Sequence, residues 1–170
     1  MPTATKIPLA SITLSSAING VQFGSISQSY TDLILVVSSN GSRASLGGDI
    51  RCQFNGDTGS NYSYTMTQGL GSSVWNERAS SQTYINMANN IGLPSTSDYV
   101  TTIMQFFSYS NTTTYKTCIV RHAGVTSGNI QMRTGLWRST SSISSIYLWN
   151  EAGALYNFNA GTTFNLYGIL

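Results

Sequence analysis

Apolar positions in this chain recur with a period of two far more often than with a helical period. "DIRCQFN" (49–55) sets Ile50, Cys52 and Phe54 against Arg51, Gln53 and Asn55, the alternation of a half-buried strand. "TYKTCIVRH" (114–122) sets Tyr115, Thr117, Ile119 and Arg121 against Lys116, Cys118, Val120 and His122. "TDLILVVSS" (31–39) is apolar on both faces, which predicts a central strand. Further strands are expected at 83–88, 99–109, 143–150 and 162–169, with shorter ones at 10–16 and 128–134. Branched, aromatic and hydroxyl side chains fill these segments, as pleated surfaces favour. Between them lie "INGV", "SSNGS", "LGGD", "FNGDTGSN" and "EAGA", whose Asn and Gly residues take the positive φ of tight turns.

Helical periodicity is weak. "SVWNERASSQ" (73–82) has room for one turn and "INMANNIGL" (85–93) is a second short candidate, both without the length or caps of a firm helix. Residues 60–82 read as a long irregular excursion, and residues 1–10, which lack pattern, as an N-terminal arm reaching a neighbour. No fixed-period repeat or linker divides the chain. The expected fold is therefore all-β: residues 1–170 as a single antiparallel β-sandwich, jelly-roll-like, of about eight strands. The closing "TFNLYGIL" is largely apolar on both faces and reads as a central or subunit-covered strand.

Composition changes the picture of the surface. Charged residues make up 8% of the chain, against about 25% in ordinary domains. Ser and Thr occupy 46 positions (26 and 20), and there are two lysines, Lys6 and Lys116. Few Lys or Pro residues are thus on hand to blunt sheet edges, which argues that neighbouring subunits cover them. The six arginines are scattered, with no basic stripe for a phosphate backbone, so nucleic acid is not an expected partner. No apolar run is long enough to span a bilayer, and the first residues lack the apolar core of a signal peptide. Cys52 and Cys118 sit in alternating segments and read as buried free thiols of a chain made in a reducing cytoplasm.

Candidate chemistry is sparse. His122 is the single histidine, so any triad would have to use it, and no nucleophile-elbow motif is present. The carboxylates Asp32, Asp49, Asp57, Glu77, Asp98 and Glu151 are dispersed, and four adjoin turns or strand starts, where such residues cap backbone groups. "NGDTGSN" (55–61) holds one carboxylate and no closing Glu; a turn with side-chain hydrogen bonds is favoured over a calcium loop. No catalytic residue, metal site or cofactor is expected. The aromatic residues are more informative. Tyr62, Tyr64, Trp75 and Tyr84 fall in and around the irregular part, with Trp137, Tyr147 and Trp149 further on. Tyr and Trp anchor protein interfaces, so those first four are the candidate interface or glycan-contact residues.

Three blocks, in order, carry a resemblance. They are "FGSISQSYTDLILVVSS" (23–39), "FNGDTGSNYS" (54–63) and "AGTTFNLYGIL" (160–170). Together they resemble a family of tailed-bacteriophage virion proteins, found as small structural proteins or as tail-fibre domains. The matching residues are Ile26, Tyr30, Asp32 and Leu33; Asn55, Gly56, Asp57, Asn61 and Tyr62; and Gly161, Leu166, Tyr167, Gly168 and Ile169. The resemblance implies a structural particle component with a jelly-roll-like sandwich, often a homotrimer, and no catalytic motif. Without a coiled coil, collagen-like repeat or shaft, this chain fits a capsid cement (decoration) protein, localised to the virion and bound to the major capsid protein. The alternative is a tail fibre or tail tip module, partnered by tail proteins and binding a host glycan.

Overall fold

The computed structural model describes residues 5–40, 48–88, 99–124, 129–151 and 157–170. Among them there is no helix. Twelve strands are present: β1 (Lys6–Thr13), β2 (Gly20–Phe23), β3 (Asp32–Ser39), β4 (Ile50–Phe54), β5 (Tyr62–Leu70), β6 (Ser73–Gln82), β7 (Ile85–Ala88), β8 (Val100–Phe107), β9 (Lys116–Gly124), β10 (Asn129–Trp137), β11 (Ile146–Asn150) and β12 (Thr163–Ile169).

They form two antiparallel sheets, an eight-stranded one in the order β1-β12-β3-β8-β9-β10-β5-β6 and a four-stranded one in the order β2-β11-β4-β7. Pairings in the large sheet recur in the small one with the adjacent strands in sequence. β1 pairs with β12 and β2 with β11; β12 pairs with β3 and β11 with β4; β3 pairs with β8 and β4 with β7. Antiparallel ribbons therefore wrap from sheet to sheet, as in a jelly roll.

The alternation expected for a sandwich is present in the burial. On β3, Leu33, Leu35 and Val37 are fully buried, while Ile34 and Val36 are half-buried on the outer side. The strand is central, between β12 and β8. β12 is likewise flanked on both sides, by β1 and β3. Its Gly168 lies on the ring of Tyr30; a Cβ there would sit 2.4 Å from Tyr30 Cγ, far inside contact distance. Thr31 N–H also donates to the Ile169 carbonyl, so the first and third resemblance blocks meet in space. The second forms a turn with Asn55 and Gly56 at φ +54° and +68°. There the Asp57 carboxylate accepts from Trp137 Nε1 (2.7 Å), Asn61 Nδ2 (3.0 Å) and Gly59 N (2.8 Å). Partial burial is the largest single influence and raises its pKa, but the hydrogen bonds from Trp137, Asn61 and Gly59 together outweigh it and hold the carboxyl low. The family-like residues are thus turn and packing residues of the fold.

Several expectations are corrected. Residues 62–82 are not an irregular excursion but a long hairpin, β5 and β6 joined at Gly71 (φ +57°). The helix candidate at 73–82 is β6. It lies at the sheet edge with both faces largely exposed, so it shows no strand alternation. Of the candidate at 85–93, residues 85–88 are β7 and the rest lie outside the described residues. The N-terminal arm shortens as well: from Lys6 the chain is edge strand β1, and residues 1–4 are outside the described residues. The strand count is twelve rather than about eight; β2, next to the turn residues of "INGV", and the hairpin strands β5 and β6 lie in segments expected to be turn or irregular. Both cysteines are free and buried; burial raises both thiol pKa values, that of Cys118 to about 12.

Candidate functional site

The small sheet presents an aromatic–arginine cluster on its outer face. In "IYLWN" of β11, Ile146, Leu148 and Asn150 point into the core, and Tyr147 and Trp149 point outward. Ladder register places Tyr147 between Gln22 and Gln53, and Trp149 between Gly20 and Arg51. Tyr147 lies over Gly20, where a Cβ would come within 2.6 Å of its hydroxyl. The Tyr147 and Trp149 rings stack on each other at 5.2 Å and 14°, and Tyr84 meets Trp149 edge-on at 6.0 Å. The Arg51 guanidinium sits 4.1 Å from the Tyr84 ring centroid and pairs with Glu151, combining a cation–π contact with an ion pair. Burial raises the Tyr84 phenol pKa, against a smaller opposing effect of Arg51. The cluster is preorganised: four of its side chains hold one another before any partner arrives.

Of the four predicted contact residues, only Tyr84 belongs to this cluster. Tyr62 is fully buried, its hydroxyl donating to the Asp57 carbonyl at 3.0 Å. Tyr64 is also in the core and donates to Glu77 Oε1 at 3.0 Å. Neither can touch a partner, because inward positions of β5 face the small sheet. Trp75 is 60% exposed on edge strand β6 of the large sheet, level with Gln68 of β5. Tyr147, Trp149, Arg51 and Glu151 were not expected as a unit. Their only signal was the outward i, i+2 aromatic pair in β11.

A second polar group lies inside the sandwich. His122, Gln131 and Arg133 are inward residues of β9 and β10, each 1–2% exposed. Arg133 donates to Gln131 Oε1 (2.8 Å) and to the Asn86 carbonyl (3.2 Å). Burial lowers its pKa to about 10, more strongly than Asp49, Glu77 and Tyr64 oppose. His122 Nδ1 is 2.8 Å from Thr102 Oγ1, while the buried Nε2 has no hydrogen-bond partner among the described residues. Burial, with a smaller push from Arg133, brings its pKa down to about 4. A nucleophile–His–acid relay needs one ring nitrogen on the hydroxyl and the other on a carboxylate; here the second nitrogen reaches none. Among the described residues, no group of three or more His, Cys, Asp or Glu side chains is placed to hold a metal ion. No described helix is long and apolar enough to cross a membrane.

No protein-family model matches the chain, and no curated protein matches it. Among solved structures, it is similar to a PL-14 alginate lyase from Aplysia kurodai at TM-score 0.33 and 9% identity, over 85% of this chain and 71% of that one. It is also similar to scytalido-glutamic peptidase at TM-score 0.31 and 13% identity, over 88% and 74% of the two chains. Likenesses this distant say nothing about activity.

Proposed function

We propose that the chain is a non-enzymatic structural component of a bacteriophage virion, acting as a capsid cement protein. The observation that carries this reading is the preorganised cluster of Tyr147, Trp149, Tyr84 and Arg51 on the small sheet. Tyr, Trp and Arg are the residue types that dominate interface energetics, and a rigid cluster loses little side-chain entropy when a partner docks. The low charge of the chain and the three resemblance blocks support the same reading. The protein would act by burying this face across capsomer junctions, so that many modest contacts together resist internal pressure. Particles made without the protein should release DNA at lower temperature than complete particles. Equal heat resistance would refute the role.

The tail-module reading draws on the same aromatic residues as a glycan platform. The ring geometry favours a protein contact instead. Tyr147 and Trp149 turn one ring face each to the other and the Arg51 guanidinium lies against the Tyr84 ring, so part of the ring surface a sugar would stack on is used within the cluster. A glycan array that captures the purified chain, together with a few dozen copies or fewer per virion, would reverse the preference.

A further inference from the structure

The outer face of the eight-stranded sheet is covered by no other part of the described chain. Ladder register places its side chains in rows across the strands. One row runs Ser11, Asn165, Val36, Ile103, Arg121, Met132, Thr67 and Asn76; the next runs Pro8, Tyr167, Ile34, Gln105, Ile119, Thr134, Thr65 and Arg78. The middle of the face is apolar, built from Ile34, Val36, Ile103, Ile119, Ile130 and Met132. Ile130 is 66% and Met132 52% exposed. Beside them is a hollow of about 390 Å³ lined by residues including Thr67, Ile119, Met132 and Thr134. Threonines surround this centre, and each hydroxyl both donates and accepts hydrogen bonds.

We propose that this face pairs with the same face of a second copy of the chain, about a two-fold axis near Gln105. Area is the first argument. Eight strands spaced at about 4.8 Å, each about 25 Å long, give a face of about 1,000 Å². A stable interface needs about 800 Å² from each partner. Charge is the second. Away from the margin strands β1 and β6, the strands of the face present two charged side chains, Arg121 and Asp32, and a third, Arg138 just beyond β10, is tied down at the border by its bond to Ser63 Oγ. Arg121 is exposed and has no ion pair among the described residues. Asp32 accepts from Gln105 Nε2 and Ser108 N and keeps lone pairs for one more donor. Gln105 is level with Ile34 on β3 and Ile119 on β9. Asp32 lies two residues from Ile34 toward one end of the sheet, and Arg121 two residues from Ile119 toward the other. Gln105 is thus their midpoint, about 8 Å from each by strand geometry, and close to the centre of the face. A two-fold axis through that point, lying in the plane between the two faces and running perpendicular to the Asp32–Arg121 line, sets Arg121 of each copy against Asp32 of the other while the apolar centres overlap. An isologous contact of this kind repeats each pairing twice.

The pairing gives two copies rather than the three implied by the virion resemblance, and it stands whether or not the chain is a cement protein. The test is the mass of the purified full chain by light scattering after gel filtration. Twice 18.3 kDa is expected for the natural protein. Arg121→Asp and Ile130→Lys, each on an exposed side chain, should weaken association at least about tenfold while leaving circular dichroism unchanged. Arg121→Asp combined with Asp32→Arg should restore the dimer. A monomer up to about 100 µM, a three-copy mass, or a dimer indifferent to both single substitutions would overturn the proposal. Asp32 also caps the Ser108 amide; if the double variant fails to fold, the two single variants still decide the matter.

Discussion

The two ends of the sandwich interior are built on the same strands yet solve different problems. Along β10 the inward residues run Gln131, Arg133, Gly135 and Trp137, and along β9 they run His122, Val120, Cys118 and Lys116. At the Trp137 end, rings fill the space. Phe54 lies 5.4 Å from Trp137 and 5.5 Å from Phe106, and Tyr62 stacks on Trp137 at 6.3 Å. The polar atoms there are paired: Asp57 takes the indole N–H, and Lys116 Nζ donates to the Thr114 carbonyl at 2.7 Å. At the other end a guanidinium and an imidazole are buried, with Asp49 and Glu77 acting on the guanidinium only weakly against its burial, and one imidazole nitrogen has no hydrogen-bond partner among the described residues. The aromatic end gains from dispersion and area removed from water. The polar end carries desolvation that its hydrogen bonds only partly offset. One end of a single core can therefore set the stability while the other limits it.

The comparison is broken most directly at Trp137. Trp137→Ala removes the ring against which Phe54 and Tyr62 pack and leaves Asp57 short of a donor, so a loss of about 3–5 kcal/mol is expected. Denaturant unfolding would read it; a loss below about 1 kcal/mol would mean that the aromatic end does not dominate.

The next effect belongs to the polar end and depends on pH. The folded His122 pKa is about 4, against about 6.5 in an unfolded chain. Between those values the unfolded chain takes up a proton that the folded one refuses. Stability is thus full above about pH 6.5 and falls as pH drops toward about 4, by about 3 kcal/mol in all. His122→Gln, which keeps a hydrogen-bonding group beside Thr102, should flatten that slope. An unchanged slope in the variant would assign the acid sensitivity elsewhere.

The period-two pattern made the strands visible because half of each strand faces a dry core. β3, β4, β9 and β12 were legible for that reason, and β3 and β12 were readable as central strands. β6 was not. Exposed on both faces, "SVWNERASSQ" carries no alternation, and only its pairing with β5 makes it a strand. The Asp57 turn was legible from its residue types alone. The aromatic–arginine cluster was not, since Arg51 and Trp149 are adjacent only through the β4–β11 register, which no local pattern encodes. Tyr62 and Tyr64 misled for the opposite reason: tyrosines on a strand look alike until one knows which face is inward. The His122–Arg133 group was hidden in the same way, because polar residues at inward positions read as outward ones.

The smallest expected effect sharpens the contrast most. Arg133→Met replaces a buried cation by an apolar chain of similar length. The variant loses the bonds to Gln131 Oε1 and the Asn86 carbonyl, but also the cost of keeping a guanidinium away from water. Exchanges of this kind are often neutral or stabilising by about 1–4 kcal/mol, and the low end, about 1 kcal/mol of gain, is expected because the Asn86 carbonyl loses a donor. The substitution also removes the charge that adds to the depression of the His122 pKa, so the loss of stability on acidification should become shallower. Equilibrium unfolding of the variant at pH 7 and pH 4.5 would read both effects. A loss of more than about 2 kcal/mol at pH 7 would show that Arg133 holds the polar end together, and the two ends would then have to be regarded as equally structural.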